Sequence, residues 1–285
     1  MIIAAAGQFG RAAAGLLNDN IYELIAFADN SEKLQGGSYP HPLGQKVPIV
    51  SMEEAVRLAP DVILTGVIDE ERSRQLKEQL IRLGYGGEIL TLRSAQQLFD
   101  VRSATLIRLA QRIRESGVPG AAAELGVYRG DLARKINALF PDRELYLFDT
   151  FSGFDSRDVN VEMENKTSRA EEGDFSDTSA EAVRARLPYP ERAHFAQGYF
   201  PETAVSYGDV RFAFVSLDAD LYAPILAGLK FFVPRLSEGG VILLHDYLNE
   251  RFRGAKKAVE EYEAEHGRLK LVPLCDLHGS AVILR

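Results

Sequence analysis

One segment, residues 123–130, constrains the fold of this chain more than any other. Its sequence, Ala-Glu-Leu-Gly-Val-Tyr-Arg-Gly, follows an apolar run and leads into a helical pattern. A glycine-containing turn between a buried strand and a helix is typical of nucleoside-binding sites at the carboxyl edge of a parallel sheet. The glycines allow the backbone to approach a ligand closely. The segment therefore predicts an α/β fold that carries a nucleoside cofactor pocket.

Acidic residues end three later strand patterns. Asp149 lies in Leu-Tyr-Leu-Phe-Asp-Thr-Phe-Ser-Gly-Phe, and two further strand ends are Leu-Asp-Ala-Asp-Leu-Tyr (217–222) and Leu-Leu-His-Asp-Tyr (243–247). Because the carboxyl ends of parallel strands meet at one edge, we expect these groups to surround the pocket. The Asp149 carboxylate is suited to accept hydrogen bonds from both ribose hydroxyls, and the alternative is a helix N-cap.

Strand and helix patterns alternate twice along the 285 residues, which predicts two α/β units. Residues 1–93 are expected to form a small Rossmann-like domain, 94–118 a helical connector, and 119–285 a second domain with a parallel sheet. Two final strand patterns, 268–274 and 279–284, flank a turn-like segment and predict a terminal antiparallel pair.

Two other segments lack clear periodicity. The Gly- and Pro-rich stretch 29–46 is expected to be a loop. The acidic stretch 155–175 is longer than an ordinary connection, which favours a mobile active-site lid.

Charge and cysteine content exclude several classes of protein. The net charge of −8 argues against nucleic-acid binding, because phosphate neutralisation needs clustered Lys and Arg. The single cysteine excludes an intrachain disulfide and favours a cytoplasmic protein. No apolar run approaches the roughly 20 residues that span a membrane, so no membrane association is expected.

The N-terminal unit contains a degenerate dinucleotide fingerprint, Ala5-Ala6-Gly7-Gln8-Phe9-Gly10. Asp29 ends the next strand pattern about 20 residues later, as such a fingerprint requires. This unit resembles the small Rossmann-like domain of sugar-modifying enzymes in polysaccharide synthesis. The resemblance implies either binding of a nucleotide-linked sugar or only scaffolding and dimer contact in a homo-oligomer.

From residue 121 onward the sequence resembles the macrocin O-methyltransferase (TylF-like) family of S-adenosylmethionine-dependent sugar O-methyltransferases. Besides the three strand ends and residues 123–130, the resemblance rests on Gly-Asp-Phe-Ser-Asp-Thr-Ser (173–179) and Gln-Gly-Tyr-Phe-Pro-Glu-Thr (197–203). It implies a class I methyltransferase fold, whose parallel sheet ends in an antiparallel hairpin.

The resemblance also implies which residues bind S-adenosylmethionine. The implied set is Glu124, Gly126, Gly130, Asp149, Ser152, Asp174 and Phe175. Glu124 and the two glycines would line the methionine and ribose moieties, whereas Asp174 and Phe175 would lie near the adenine. The alternatives are tight helix–strand packing for the glycines, and loop capping and core filling for Asp174 and Phe175.

The catalytic chemistry is expected at the second acidic edge. A sugar hydroxyl is a weak acid, so its methylation needs a base, a metal ion or both. The resemblance implies that Asp218 binds magnesium and that Asp220 is the base, with further metal ligands at the next strand end. There the family usually has two consecutive acids, whereas this chain has His245 and Asp246.

This departure leaves three alternatives open. The site holds magnesium through Asp218 and Asp246, it holds a softer divalent metal with His245 as a ligand, or it is metal-free with His245 as the general base. Strand-end capping for the aspartates and a hydrogen-bonded core imidazole for His245 are the structural alternatives. His278, in the terminal turn, is expected to be a surface histidine rather than a residue of the cleft.

Together these features predict an O-methyltransferase that acts on a small-molecule sugar or glycoside, which is either free or nucleotide-linked. Two rival hypotheses remain open. One is an NAD-dependent oxidoreductase or epimerase that uses the N-terminal unit. The other is a non-catalytic sugar-nucleotide-binding protein with a degenerate pocket.

Overall fold

The computed structural model describes residues 1–41, 45–98 and 100–285. The chain divides into two compact units, Met1–Asp100 and Val101–Arg285. None of the helices among the described residues is both long and apolar enough to cross a lipid bilayer.

The first unit is a six-stranded sheet with flanking helices. Its elements are β1 Ile2–Ala4, α1 Gln8–Ala14, β2 Ala26–Ala28, β3 Ser38–Pro40, β4 Lys46–Val50, α2 Met52–Arg57, β5 Val62–Thr65, α3 Glu70–Arg82, β6 Glu88–Thr91 and α4 Leu92–Leu98. The strand order is β3-β4-β2-β1-β5-β6, and all pairs are parallel except β3 with β4. Buried β1, β2 and β5 supply its apolar core.

The stretch 29–46, expected to be a loop, contributes two of these strands at one edge of the sheet. β3 lies wholly within it, and β4 begins at Lys46. Exposed edge strands lack a continuous apolar run, and Pro40 ends β3 at the position where the ladder stops. Residues 42–44 of this stretch lie outside the described residues.

The second unit is a seven-stranded sheet with helices on both faces. Its elements are α5 Val101–Glu115, β7 Ala121–Leu125, α6 Asp131–Leu139, β8 Leu145–Asp149, α7 Ser156–Asn165, α8 Ala180–Arg184, β9 Ala193–Gln197, β10 Phe212–Leu217, α9 Tyr222–Phe232, β11 Leu236–Leu244, α10 Gly254–His266, β12 Lys270–Pro273 and β13 Ala281–Leu284. The strand order is β12-β13-β11-β10-β7-β8-β9. The last strand, β13, pairs antiparallel with β11 and β12, whereas the other pairs are parallel, so the predicted terminal antiparallel hairpin is confirmed.

The helical stretch predicted over 94–118 forms two helices, α4 and α5, which fall in different units. Position 99, between them, lies outside the described residues. α5 buries Leu106, Ala110 and Ile113 against the core of the second sheet, because these residues recur on one helical face.

The polar stretch 155–175 contains a helix, α7, that the sequence did not predict. Asp155 caps it by accepting a hydrogen bond from the backbone N–H of Arg157 at 2.9 Å. Its buried face consists of Asp158, Val159 and Glu162, so two acids occupy positions where an amphipathic helix normally places apolar residues. The Glu162 carboxylate accepts a hydrogen bond from the Tyr222 N–H at 2.6 Å, which fixes α7 to the start of α9.

Asp158 makes the stability of this unit depend on pH. Burial raises the pKa of Asp158 to about 6 from an ordinary value of 3.8, in spite of a hydrogen bond donated by Tyr199. The folded state therefore binds the proton more tightly, and stability is lost as the pH rises from about 4 to 6. We expect Asp158→Asn to raise the free energy of unfolding at pH 7 by about 1–2 kcal/mol and to have little effect at pH 4.

Urea denaturation at both pH values measures this effect. Asp155→Asn is the matched control, because hydrogen bonds from Arg157 lower the pKa of Asp155 to about 2 and the pH dependence has the opposite sign. A stability gain for Asp158→Asn that is equal at both pH values would contradict the prediction.

Candidate functional site

The carboxyl ends of three central strands meet at one edge of the second sheet. β10 lies between β7 and β11, and its register pairs Leu217 with both Leu125 and Leu244. The N–H of Asp218 donates to the carbonyl of Leu125 at 2.8 Å, and the N–H of His245 donates to the carbonyl of Leu217 at 2.9 Å. Residues that are far apart in sequence thus become neighbours at this edge.

The loop after β7 needs its two glycines for packing. Gly126 has φ +85°, and a Cβ there would lie 2.0 Å from the carbonyl oxygen of Asp218. Gly130 has φ +75° at the start of α6, and its Cβ would lie 2.6 Å from the Val183 side chain. The tight packing considered as an alternative from the sequence therefore explains both glycines, whether or not a ligand also contacts them.

Asp149 joins the end of β8 to this loop. Its Oδ2 accepts hydrogen bonds from the N–H groups of Val127 at 2.6 Å and Tyr128 at 2.9 Å. Its Oδ1 accepts one from Phe151 at 2.7 Å. The N-cap of the next helix is Asp155, so Asp149 is not a helix cap. Since a carboxylate has about four acceptor directions, about one remains for a ribose hydroxyl.

Phe175 lies against the same loop. Its ring centroid is 5.2 Å from those of Tyr128 and Phe154, both in edge-to-face contact, and its side chain is 39 % exposed. An open aromatic face beside a nucleoside loop is suited to stack on a base. Phe175 also has φ +65°, a strained conformation that is frequent at functional sites.

Asp174 and Ser152 contribute mainly local contacts. The Asp174 carboxylate accepts a hydrogen bond from the Glu171 N–H at 3.2 Å, and its carbonyl accepts one from Phe154 at 3.0 Å. The loop-capping role considered for Asp174 from the sequence therefore accounts for these contacts. Ser152 is exposed, and its N–H donates to Thr150 Oγ1 at 3.2 Å.

Glu124 lies almost completely buried at 1 % exposure, on β7 directly before the glycine loop. Its Oε2 has no hydrogen-bond partner among the residues that the structure describes. Burial raises the pKa of Glu124 well above its ordinary value. A buried carboxyl with an unused oxygen is costly unless a ligand satisfies it, and a cationic group would do so.

Four potential proton- or metal-binding side chains lie next to this loop. Asp218, Asp220, His245 and Asp246 each offer an atom within 4.8 Å of the others. His245 Nδ1 makes charge contacts with Asp218 Oδ1 at 2.9 Å and Asp246 Oδ2 at 3.1 Å. Asp220 and Asp246 both have φ +56°, which costs about 1–3 kcal/mol and is typical of functional sites. We refer to these four residues as the acidic cluster.

Arg102 belongs to this region, although no sequence pattern assigned a site role to it. Its Nη1 donates to Asp218 Oδ2 at 2.8 Å and its Nη2 to Ser216 Oγ at 3.2 Å. The two residues of the ion pair are 116 positions apart in the chain. A signal was available, because Arg102 shares the buried face of α5 with Leu106 and Ile113, where a charged residue is unusual.

His278 also lies beside the acidic cluster. Its ring centroid is 5.0 Å from that of His245, and its Nδ1 lies 3.9 Å from Asp246 Oδ1. The expectation of a surface histidine is therefore wrong, because the β12–β13 turn folds back over the end of β11. Asn249, a further residue not predicted, donates from Nδ2 to Asp246 Oδ1 at 2.6 Å.

Opposite charges balance within the acidic cluster. Burial alone would raise the pKa of Asp218, but Arg102 and His245 outweigh it and lower the pKa. Burial alone would lower the pKa of His245, but Asp218 outweighs it and raises the pKa to about 10. Burial together with the charges of Asp218 and Asp246 raises the pKa of Asp220 well above its ordinary value. At neutral pH the cluster therefore holds an imidazolium ion at His245.

A cavity of about 580 Å³ adjoins the cluster through Asn249. It is lined by Thr167, Tyr247, Leu248, Asn249, Glu250, Arg253, Lys256, Lys257 and Glu260. Its three cationic side chains, Arg253, Lys256 and Lys257, outnumber its two acidic ones, Glu250 and Glu260, in contrast with the overall charge of −8. The cavity is large enough for a sugar, and its charge is favourable for an anionic group.

The N-terminal fingerprint makes contacts of another kind. The Asp29 carboxylate accepts hydrogen bonds from the N–H groups of Ala6 at 2.8 Å and Ser31 at 2.9 Å. A Cβ on Gly10 would lie 2.0 Å from the carbonyl oxygen of Ala5. Backbone packing thus accounts for both residues, and a dinucleotide ligand gains no support from them.

Comparison with known proteins identifies the family to which this chain belongs. The family model of macrocin-O-methyltransferases (TylF) matches residues 97–285. A relative from Streptomyces olivaceus, 8-demethyl-8-(2,3-dimethoxy-alpha-L-rhamnosyl)-tetracenomycin-C 4'-O-methyltransferase, is 28 % identical over 61 % of this chain and 69 % of its own. Mycinamicin III 3''-O-methyltransferase from Micromonospora griseorubida is 31 % identical over 53 % of this chain, and the matched part spans 63 % of that relative.

Among solved structures, the calicheamicin methyltransferase CalS11 has a TM-score of 0.55 at 21 % identity. The match covers 82 % of this chain and 91 % of that one. This likeness confirms the predicted α/β fold of the class I O-methyltransferase type.

Proposed function

Because the chain belongs to the macrocin-O-methyltransferase family, we propose that it transfers the methyl group of S-adenosylmethionine to a hydroxyl of a sugar or glycoside. The observation that carries this proposal is the convergence of two features at one sheet edge. A glycine loop held by Asp149 lies beside the acidic cluster, so close that a Cβ on Gly126 would lie 2.0 Å from the carbonyl oxygen of Asp218. Such a site can hold a nucleoside and accept a proton within a short distance.

In this proposal the loop residues bind the cofactor. The unused Oε2 of Glu124 accepts a hydrogen bond from the ammonium group of the methionine moiety, whose charge compensates the buried carboxylate. The remaining acceptor direction of Asp149 takes a ribose hydroxyl. Phe175 stacks on the adenine, with Gly126, Gly130, Ser152 and Asp174 forming the surrounding backbone.

Asp220 is the proposed general base. The bound cofactor supplies an electrophilic methyl group on a sulfonium ion, and the acceptor supplies the hydroxyl oxygen that attacks it. The Asp220 carboxylate would take the hydroxyl proton, and transfer of the methyl group would leave the cofactor as a neutral thioether. Burial strengthens Asp220 as a base by raising its pKa, so turnover should increase with pH. His245 and Arg102 stabilise the developing negative charge.

The cavity beside Asn249 is the proposed acceptor site. Tyr247 and Leu248 offer apolar surface to a sugar ring, and Arg253, Lys256 and Lys257 favour an acceptor that carries phosphate. We therefore propose a nucleotide-linked sugar as one form of the acceptor, within natural-product or polysaccharide synthesis. Cytoplasmic location and self-association stay predictions from the sequence.

The donor atoms of the acidic cluster do not fit magnesium. Magnesium requires octahedral oxygen ligands, whereas a ring nitrogen lies between the two carboxylates that the family resemblance assigns to it. The proposed mechanism therefore contains no step at a metal ion.

Calorimetry with S-adenosylhomocysteine tests the cofactor site. We expect one saturable site per chain for the wild type and at least a tenfold loss of affinity for Asp149→Ala, because three loop N–H groups lose their acceptor. The exposed acid Asp142, replaced by alanine, serves as the control. Absence of binding by the wild type would overturn the proposal, and tight nicotinamide-dinucleotide binding in its place would favour the oxidoreductase alternative.

A further inference from the structure

We propose that this enzyme works without a resident divalent metal, because Arg102 and His245 occupy the carboxylate oxygens that a metal would need. This inference rests on the proposed methyl transfer only where it concerns catalysis, because metal binding can be measured without turnover. It concerns the cluster at the carboxyl ends of β10 and β11.

The position between Asp218 and Asp246 is already filled. A divalent cation that joined these carboxylates would lie between Asp218 Oδ1 and Asp246 Oδ2. His245 Nδ1 is located there, at 2.9 and 3.1 Å. The ring has little room to leave, because the His245 side chain is only 14 % exposed and the His278 ring packs beside it at 5.0 Å.

The other oxygens of the same carboxylates also have partners. Asp218 Oδ2 accepts from Arg102 Nη1 at 2.8 Å, and Asp246 Oδ1 accepts from Asn249 Nδ2 at 2.6 Å. A metal would have to displace two nitrogen donors and approach a guanidinium that keeps its charge at every physiological pH. The Arg102 and Asp218 side chains are 17 % and 22 % exposed, so their attraction is weakly screened by solvent.

The ligand preferences of magnesium lead to the same conclusion as the positions of the side chains. An Asp at residue 245 would provide a third hard oxygen ligand, whereas imidazole is a poor ligand for magnesium. The guanidinium of Arg102 and the imidazolium of His245 can instead supply the positive charge with which a metal ion stabilises an alkoxide. The single residue His245 thus separates this chain from the paired-acid pattern that the family usually has.

A Mn²⁺ titration followed by electron paramagnetic resonance tests this inference on the full chain. We expect no saturable Mn²⁺ site in the wild type up to about 1 mM, and at least tenfold tighter binding in His245→Asp, which restores an oxygen ligand. His266→Asp is the matched control, since this exposed histidine lies at the end of α10, and it should bind no more Mn²⁺ than the wild type.

Three results would overturn the inference. They are a stoichiometric Mn²⁺ site in the wild type that Asp218→Asn removes, one zinc or iron per purified chain that His245→Ala removes, and no gain of Mn²⁺ binding by a folded His245→Asp variant. S-adenosylhomocysteine calorimetry on each variant reports folding of the cofactor site. The same calorimetry distinguishes the two proposals. If the proposed methyl transfer is wrong, the heat of S-adenosylhomocysteine binding should be absent, whereas that heat should remain if only the metal inference is wrong.

Discussion

Replacement of Asp220 by asparagine is expected to lower kcat by about 10³-fold while S-adenosylhomocysteine affinity stays within twofold of the wild type. General bases contribute about 10²–10⁴-fold to rate, and asparagine removes the base while keeping the size of the side chain. Steady-state methyl transfer to a panel of free, glycosidic and nucleotide-linked sugars measures the effect. The pH profile gives a second readout, because the rising limb that belongs to the raised pKa of Asp220 should disappear.

Asp209→Asn is the matched control, since this exposed acid lies in the connection before β10, and its kcat should stay within twofold of the wild type. Activity of Asp220→Asn close to the wild type would exclude Asp220 as the base. Unchanged function in every assay would favour the non-catalytic alternative.

Replacement of Gly126 by alanine is expected to lower the free energy of unfolding by about 3 kcal/mol or more and to abolish cofactor binding. The new Cβ would lie 2.0 Å from the carbonyl oxygen of Asp218, so backbone has to shift at the point where β7 meets β10. The positive φ adds about 1 kcal/mol of strain, and forced overpacking typically adds 1–3 kcal/mol. Urea denaturation and calorimetry with S-adenosylhomocysteine measure the two effects.

Gly117→Ala is the control that separates backbone strain at a positive φ from the steric contact of a new Cβ. Gly117 also has a positive φ, +62°, but a Cβ there would meet no atom within 4 Å. Its replacement should therefore cost only about 1 kcal/mol and leave cofactor affinity unchanged. If both variants lose the same free energy of unfolding and the same cofactor affinity, the close approach of Asp218 to Gly126 is not the cause of the loss in Gly126→Ala.

The central strands were predictable because each carries its own signal. β7 and β10 are almost wholly buried, and each is an apolar run that ends at the turn-forming or acidic residues identified in the sequence, since buried parallel strands need apolar runs. α7 and β3 were missed for the converse reason. α7 buries two acids, and β3 is an exposed edge strand. Neither therefore shows the apolar periodicity by which a helix or a strand is recognised in a sequence.

The sequence by itself determined the fold class, the family and the strand-end positions of Glu124, Asp149, Asp218 and Asp246, because these depend on local patterns of apolar and turn-forming residues. Only the tertiary structure decided which groups meet there. Arg102 reaches Asp218 across 116 residues, and the terminal turn brings His278 to His245. Such pairs leave little trace in local periodicity, since strand order and helix packing create them, and they decide whether the carboxylates face a metal or the cations of the chain itself.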